Sequence, residues 1–107
     1  MSDSYLRRLG NLLRVIRIQL NKKHPREYSL RGMEKKTSLN ASTISRIENG
    51  KHDIFTHNLM DLCEGLEVPL CAIMAIAAAG EGKFPKIEKR MKAVAISQLK
   101  KLGFDIS

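Results

Sequence analysis

The sequence predicts an all-α domain, and three observations carry that prediction. Apolar residues recur at spacings of three and four along most of the chain, the period of one helix face. The apolar inventory is Leu, Ile, Val, Met and Ala, with aromatics at 5% and no Trp, a composition that suits helices better than sheets. No segment alternates apolar and polar residues convincingly enough to read as a strand. At 107 residues, 43% of them hydrophobic, the chain can bury one modest core and is too apolar to stay disordered.

Six helices follow in order. Residues 4–20 carry Leu6, Leu9, Leu13, Ile16 and Leu20 on one stripe, with Arg7, Arg14 and Arg17 opposite and Ser4 as N-cap. Pro25 stops this helix, because it cannot extend the hydrogen-bond ladder and it biases His24 away from helical backbone. A short second helix spans 29–36 with Ser29 as its cap. Gly32 inside it reads as a weakness of about 1 kcal/mol relative to Ala. Thr37, Ser38 and Leu39 make a tight connection. Asn40 caps a third helix, 41–49, whose apolar positions are Ile44 and Ile47 and whose stop is Gly50. A fourth starts at Thr56 or His57 and ends at Leu66. A fifth, 70–79, follows Pro69 and is apolar nearly all round, so something must cover it. Pro85 fits the first turn of a sixth, which ends at Gly103. Its stripe is Ile87, Met91, Val94, Ala95, Leu99 and Leu102, and its lysines read as a solvated face.

Charge and reactive residues narrow the function. Nineteen Lys and Arg against eleven acidic residues give a formal +8, and a small protein this basic commonly meets a polyanion. Charge alone does not separate nucleic-acid binding from simple solubility. Cys63 and Cys71 sit in apolar helical stretches with no zinc spacing, so both read as small buried hydrophobes. His24, His52 and His57 share no metal spacing either. No paired carboxylates, glycine-rich phosphate loop or activated nucleophile is visible, so neither an enzyme nor a metal or cofactor is expected. The first residues show no charged-then-apolar leader, and the longest apolar run, near 68–79, is too short to span a bilayer. The expectation is a cytoplasmic protein with no membrane partner.

The segment 29–51, SLRGMEKKTSLNASTISRIENGK, is the informative one. Two short helices joined by a tight turn present the second helix outward. On that helix Ala41, Ser42, Ser45, Arg46 and Asn49 fall within about 140° of arc, while Ile44 and Ile47 point away. Small polar side chains plus one Arg let a helix approach base edges in a major groove.

The run Thr43-Ile44-Ser45-Arg46-Ile47-Glu48-Asn49-Gly50 resembles the Cro/repressor type of helix-turn-helix, the lambda repressor-like XRE family. Leu9-Gly10, Leu13-Arg14 and Arg17 resemble that family's first helix, and 59–68 resembles its fourth. The resemblance covers residues 6–79 and rests on several helices matching in order and spacing. It implies a five-helix lambda repressor-like DNA-binding domain over 1–79, with 80–107 as a C-terminal helical extension for dimerisation. It implies base contacts from Ala41, Ser42 and Arg46, to which the helical arc adds Ser45. Phosphate contacts fall to Thr43, Asn49 and Lys51, with Arg31 supplying one beside Leu30, where the family often has Gln. Arg17 matches a cation that pairs with the acid found here at Glu48, which locks the recognition helix and brings Arg17 near the DNA backbone. Three further positions depart from the pattern. Glu34 replaces a small residue, Ser38 replaces the turn glycine, and the link 22–28, rich in Lys, His and Arg, is longer than usual. That link reads either as a solvated loop or as a source of extra phosphate contacts.

The implied function is a sequence-specific regulator of transcription, a repressor acting as a homodimer on a palindromic operator in double-stranded DNA. One recognition helix reads too little groove for specificity, so a dimer is expected. Its interface is expected at Leu70, Ile73, Met74, Ala77, Ile87, Met91, Val94 and Leu99. The rival class is a protein-binding module, such as an antitoxin whose main partner is a protein toxin and whose DNA binding serves autoregulation.

Overall fold

The computed structural model describes residues 3–51 and 56–106, with side chains from Tyr5 onward. Among these residues all regular structure is helical: α1 (Asp3–Lys23), α2 (Leu30–Lys36), α3 (Ala41–Glu48), α4 (Thr56–Leu66), α5 (Leu70–Ala77) and α6 (Pro85–Lys101). No helix among them is long and apolar enough to cross a membrane.

Helix α1 is the spine, and α3, α4 and α5 all pack on it. Leu9, Leu13 and Ile16 of its stripe are fully buried. The helix begins at Asp3, so Ser4 lies inside it rather than capping it, and it runs past Leu20 to Lys23. Lys22 and Lys23 extend the last turn because their charges oppose the negative end of the helix dipole. Helix α3 crosses α1 closely at Gly10, where a Cβ would stand 2.7 Å from the Glu48 carbonyl oxygen.

The link to α2 is built rather than loose. Tyr28 is buried, its N–H donates to Asn21 Oδ1 at 3.3 Å, and its carbonyl accepts from Arg17. Gly32 is no weakness here. The carbonyls of Arg26 and Glu27 press on it, and a Cβ would lie 2.6 Å from the Arg26 oxygen. That approach bends the link so that Arg26 adopts φ 72°, a left-handed conformation costing a non-glycine residue roughly 1–2 kcal/mol. Ser29 caps α2 as expected, accepting from Gly32 N–H at 3.0 Å.

The ends of α3, α4 and α6 follow one device. Gly50, Glu67 and Gly103 have φ of 68°, 58° and 98°, and each lets the next N–H bond back to the helix it leaves. After α4 and α6 the following residues, Val68 and Phe104, are apolar and buried over the helix end. Phe104 and Ile106 thereby join the core, a role the sequence reading did not give them. The segment docks on α1 through Gln19, whose amide exchanges hydrogen bonds of 2.8 Å with the Asp105 backbone. Residues 80–106 thus share one core with the rest.

Helix α6 uses only part of its stripe. Ala95 and Leu99 are buried, but Ile87, Met91, Val94 and Leu102 are each more than half exposed. Direction separates the two sets: Ala95 and Leu99 lie on the side of α6 turned to the core, whereas Met91 and Val94 flank it and line an open recess beside Cys71, Ala72 and Ala75 of α5. The connection between them is held by Glu88, whose carboxylate accepts from Gly80, Gly82 and Phe84 N–H at 2.8–3.1 Å. Bonds from Gly82 and Gly80 hold this carboxyl below its ordinary pKa. The two cysteines differ, against the expectation that both are buried. Cys63 is buried, which pushes its thiol up to about 12, whereas Cys71 is exposed on the outward side of α5.

Candidate nucleic-acid interface

The candidate interface begins with how α3 is held. Asn40 caps it, Oδ1 accepting from Thr43 N–H at 2.8 Å. A second cap comes from Glu34, whose carboxylate accepts from Ala41 N–H at 2.7 Å. An acid suits this place because the first N–H groups of a helix lack partners and carry partial positive charge. The turn before α3 needs no glycine, since Ser38 avoids positive φ. Its N–H donates to Asp61 of α4 at 2.9 Å, and its hydroxyl donates to the same carboxylate. Thr37 Oγ1 closes the other side, donating to the Met33 carbonyl at 2.8 Å.

Ile44 and Ile47 seat α3 in the core. The Arg17–Glu48 pair implied by the resemblance is present and bidentate, at 2.6 Å and 2.9 Å, with both side chains nearly buried. A third Arg17 N–H donates to the Tyr28 carbonyl at 3.2 Å. The guanidinium thus faces inward, and its part is to position α3 rather than to reach a phosphate.

The outward face of α3 has the expected order. Ser42, Arg46 and Asn49 are exposed, and Ala41, Thr43 and Ser45 are half-buried beside them. Among the described residues the side chains of Arg46 and Ser42 have no hydrogen-bond partner, so their polar atoms are available to a ligand. Asn49 turns its amide back to the Ser45 carbonyl at 2.8 Å, reinforcing the end of α3. Arg31 on α2 and Lys51 just after α3 are exposed as well. Among the described residues no group of three or more His, Cys, Asp or Glu is arranged to hold a metal. His52 lies outside the described residues.

Comparison with family models, characterised proteins and solved structures yields no match. Function therefore has to be argued from the arrangement itself.

The residues expected at a dimer interface divide into two sets. Ile73, Ala77 and Leu99 are at most 1% exposed and filled by the chain's own core, so they have no surface to offer a second copy. The internal core of so small a domain claims them first. Ile87, Met91 and Val94 are 55–59% exposed, and Leu70 and Met74 are partly buried. Of the exposed set, Met91 and Val94 join Arg90, Ala95 and Gln98 in one wall of a mostly apolar recess between α5 and α6, whose other wall is Cys71, Ala72 and Ala75. Phe84, 67% exposed, stands just before α6 on the chain. Phe104, Ile106 and the Glu34 cap escaped the sequence reading. For Phe104 there was a local signal, an apolar residue directly after a helix-stopping glycine.

Proposed function

We propose that this chain is a sequence-specific regulator of transcription that binds double-stranded DNA through α3, as a Cro/repressor-type domain of five helices, α1–α5, extended by α6. One observation carries the reading. A helix with a small, polar outward face and one projecting arginine is fixed in place by two N-terminal caps, a buried ion pair and two core isoleucines. Such rigidity is costly to build and suits a surface that must match base edges to within a hydrogen bond. Arg46 is assigned to a base, with guanine the favoured partner for its fork, and Ala41, Ser42 and Ser45 to close approach. Lys51, Arg31 and Thr43 are assigned to phosphates.

The same reading makes the protein a homodimer. Two recognition helices one turn of DNA apart, about 34 Å, supply the contact that one domain lacks. The exposed apolar face of α6 beside the small residues of α5 supports this, because a ridge and a groove side by side can pair with their own copies about a two-fold axis. The same face also fits the second reading, in which it receives a protein toxin and the chain is an antitoxin.

The deciding experiment selects bound duplexes from random DNA. The expected result is a palindromic consensus whose half-sites lie one helical turn apart. Arg46→Ala is expected to lose about 1–3 kcal/mol on that site and to relax discrimination at one base pair. No enriched sequence, or an equal loss on all sequences, overturns the base-reading role.

A further inference from the structure

Sulfur gathers at one place away from the α3 face. Cys71 and Met74 of α5 and Met91 of α6 line a single recess together with Ala75, Ala78 and Ala79. Cys71 and Met74 are three residues apart on α5 and so are neighbours on its surface, and Met91 meets them from α6. Cys71 is an exposed free thiol, Met91 is 58% exposed, and Met74 is partly buried. The Tyr5 hydroxyl donates to Met74 Sδ at 3.5 Å, which fixes the place of that sulfur. Packing within the protomer does not call for these residue types. A leucine would cover the same apolar surface as Met91, and a thiol on an open helix side buries little.

The other donors around the recess indicate which ligand the sulfurs suit. Its carboxylates are already committed: Glu88 accepts from the Gly80, Gly82 and Phe84 N–H groups, and Glu81 pairs with Arg8 at 3.0 Å. Among the described residues no histidine lines it. Magnesium and calcium need several oxygen donors, and zinc takes its ligands from thiolate, imidazole and carboxylate. Neither set is free here. What remains is one thiol and two thioethers, soft donors of the kind that select copper(I). Charge agrees with this. A monovalent ion on one thiolate and two neutral thioethers is neutral as a whole, which a lining of alanines tolerates, whereas a divalent ion would stay charged. The unbranched side chain of methionine also lets the Met91 sulfur swing towards an ion without moving α6. The second thiol, Cys63, lies in the core and outside the recess.

We infer that this recess binds a soft monovalent metal ion, copper(I) in chemistry, through Cys71 Sγ as thiolate and the Met74 and Met91 sulfurs. Binding exchanges the thiol proton for the ion, the proton leaves to solvent, and no electron is transferred. The inference uses one protomer and stands apart from the DNA-binding reading.

The test is competition for copper(I) between the reduced full chain and bicinchoninate, without oxygen and at one fixed protein concentration. The parent should withdraw the ion from the chelator and develop a thiolate-to-copper absorption in the ultraviolet. Cys71→Ser should abolish both signals. Met74→Leu and Met91→Leu nearly keep side-chain volume, and each should weaken binding by at least the roughly 10–100-fold that loss of a group supporting a metal ligand costs. Met91 is exposed, so its variant should keep the parent's thermal midpoint, which separates loss of a ligand from loss of fold. Met60→Leu, on α4 outside the recess, should bind as the parent does. A parent that takes no copper from the chelator overturns the inference. So does binding lost in Cys71→Ser but unchanged in both recess methionine variants, which would mark an exposed thiol alone. Binding that survives Cys71→Ser, or that Met60→Leu weakens as much as Met91→Leu does, overturns it as well.

Discussion

Removing either partner of the Arg17–Glu48 pair should destabilise the fold, and unequally. The two side chains are 11% and 5% exposed and meet at 2.6 Å and 2.9 Å, so water screens them little. The relevant magnitude is the 3–5 kcal/mol lost when one member of a buried pair is removed, rather than the roughly 0–1 kcal/mol of an exposed pair. Glu48→Ala leaves Arg17 its bond to the Tyr28 carbonyl at 3.2 Å and should fall near the lower end, about 3 kcal/mol. Arg17→Ala leaves a buried carboxylate without its guanidinium and also removes packed methylenes, so about 5 kcal/mol is expected. A loss of 3 kcal/mol lowers the thermal midpoint of a domain this size by roughly 12–24 °C. Urea unfolding of both single variants and the double variant gives the coupling, expected at about 2 kcal/mol. Single losses that add within about 0.5 kcal/mol would show that the pair contributes nothing of its own.

Three further outcomes follow from the packing. Gly10→Ala places a methyl group against the Glu48 carbonyl oxygen, a backbone atom that cannot turn aside, and should push α3 off α1. Thermal melting should show a loss of about 1–3 kcal/mol, together with weaker duplex binding. Met91→Lys adds a charge to the exposed apolar face of α6. It should leave the thermal midpoint of the monomer nearly unchanged while shifting sedimentation at micromolar concentration from dimer to monomer, and a parent that is already monomeric on and off DNA refutes the dimer. A thiol reagent at neutral pH should label Cys71 and spare Cys63, whose burial and raised pKa of about 12 keep it protonated. Because Cys71 lines the recess between α5 and α6, its labelling should slow as protein concentration rises.

What the sequence determined by itself is what depends on neighbours within about one turn. Ser29 and Asn40 cap their helices, Gly50 and Gly103 stop theirs, and Pro85 opens α6, because each acts on backbone groups a few residues away. The stripe of α1 was legible for the same reason: helical period decides which residues share a face. The Arg17–Glu48 pair, 31 residues apart, was legible only through a family resemblance, since spacing cannot show that two helices meet. Tertiary structure alone decided the rest. Period marked Ile87 to Leu102 as one stripe, but the way α6 docks against α5 and the core decided that Ala95 and Leu99 are covered while Met91 and Val94 are not. It likewise left Cys71 exposed, gave Glu34 a helix N-terminus to cap, and tied Ser38 to Asp61. Gly32 reversed its meaning, from a weak point in a helix to the place where the link can press close. Each of these depends on where a distant element arrives, and the order of residues along one helix does not specify what will be packed against it.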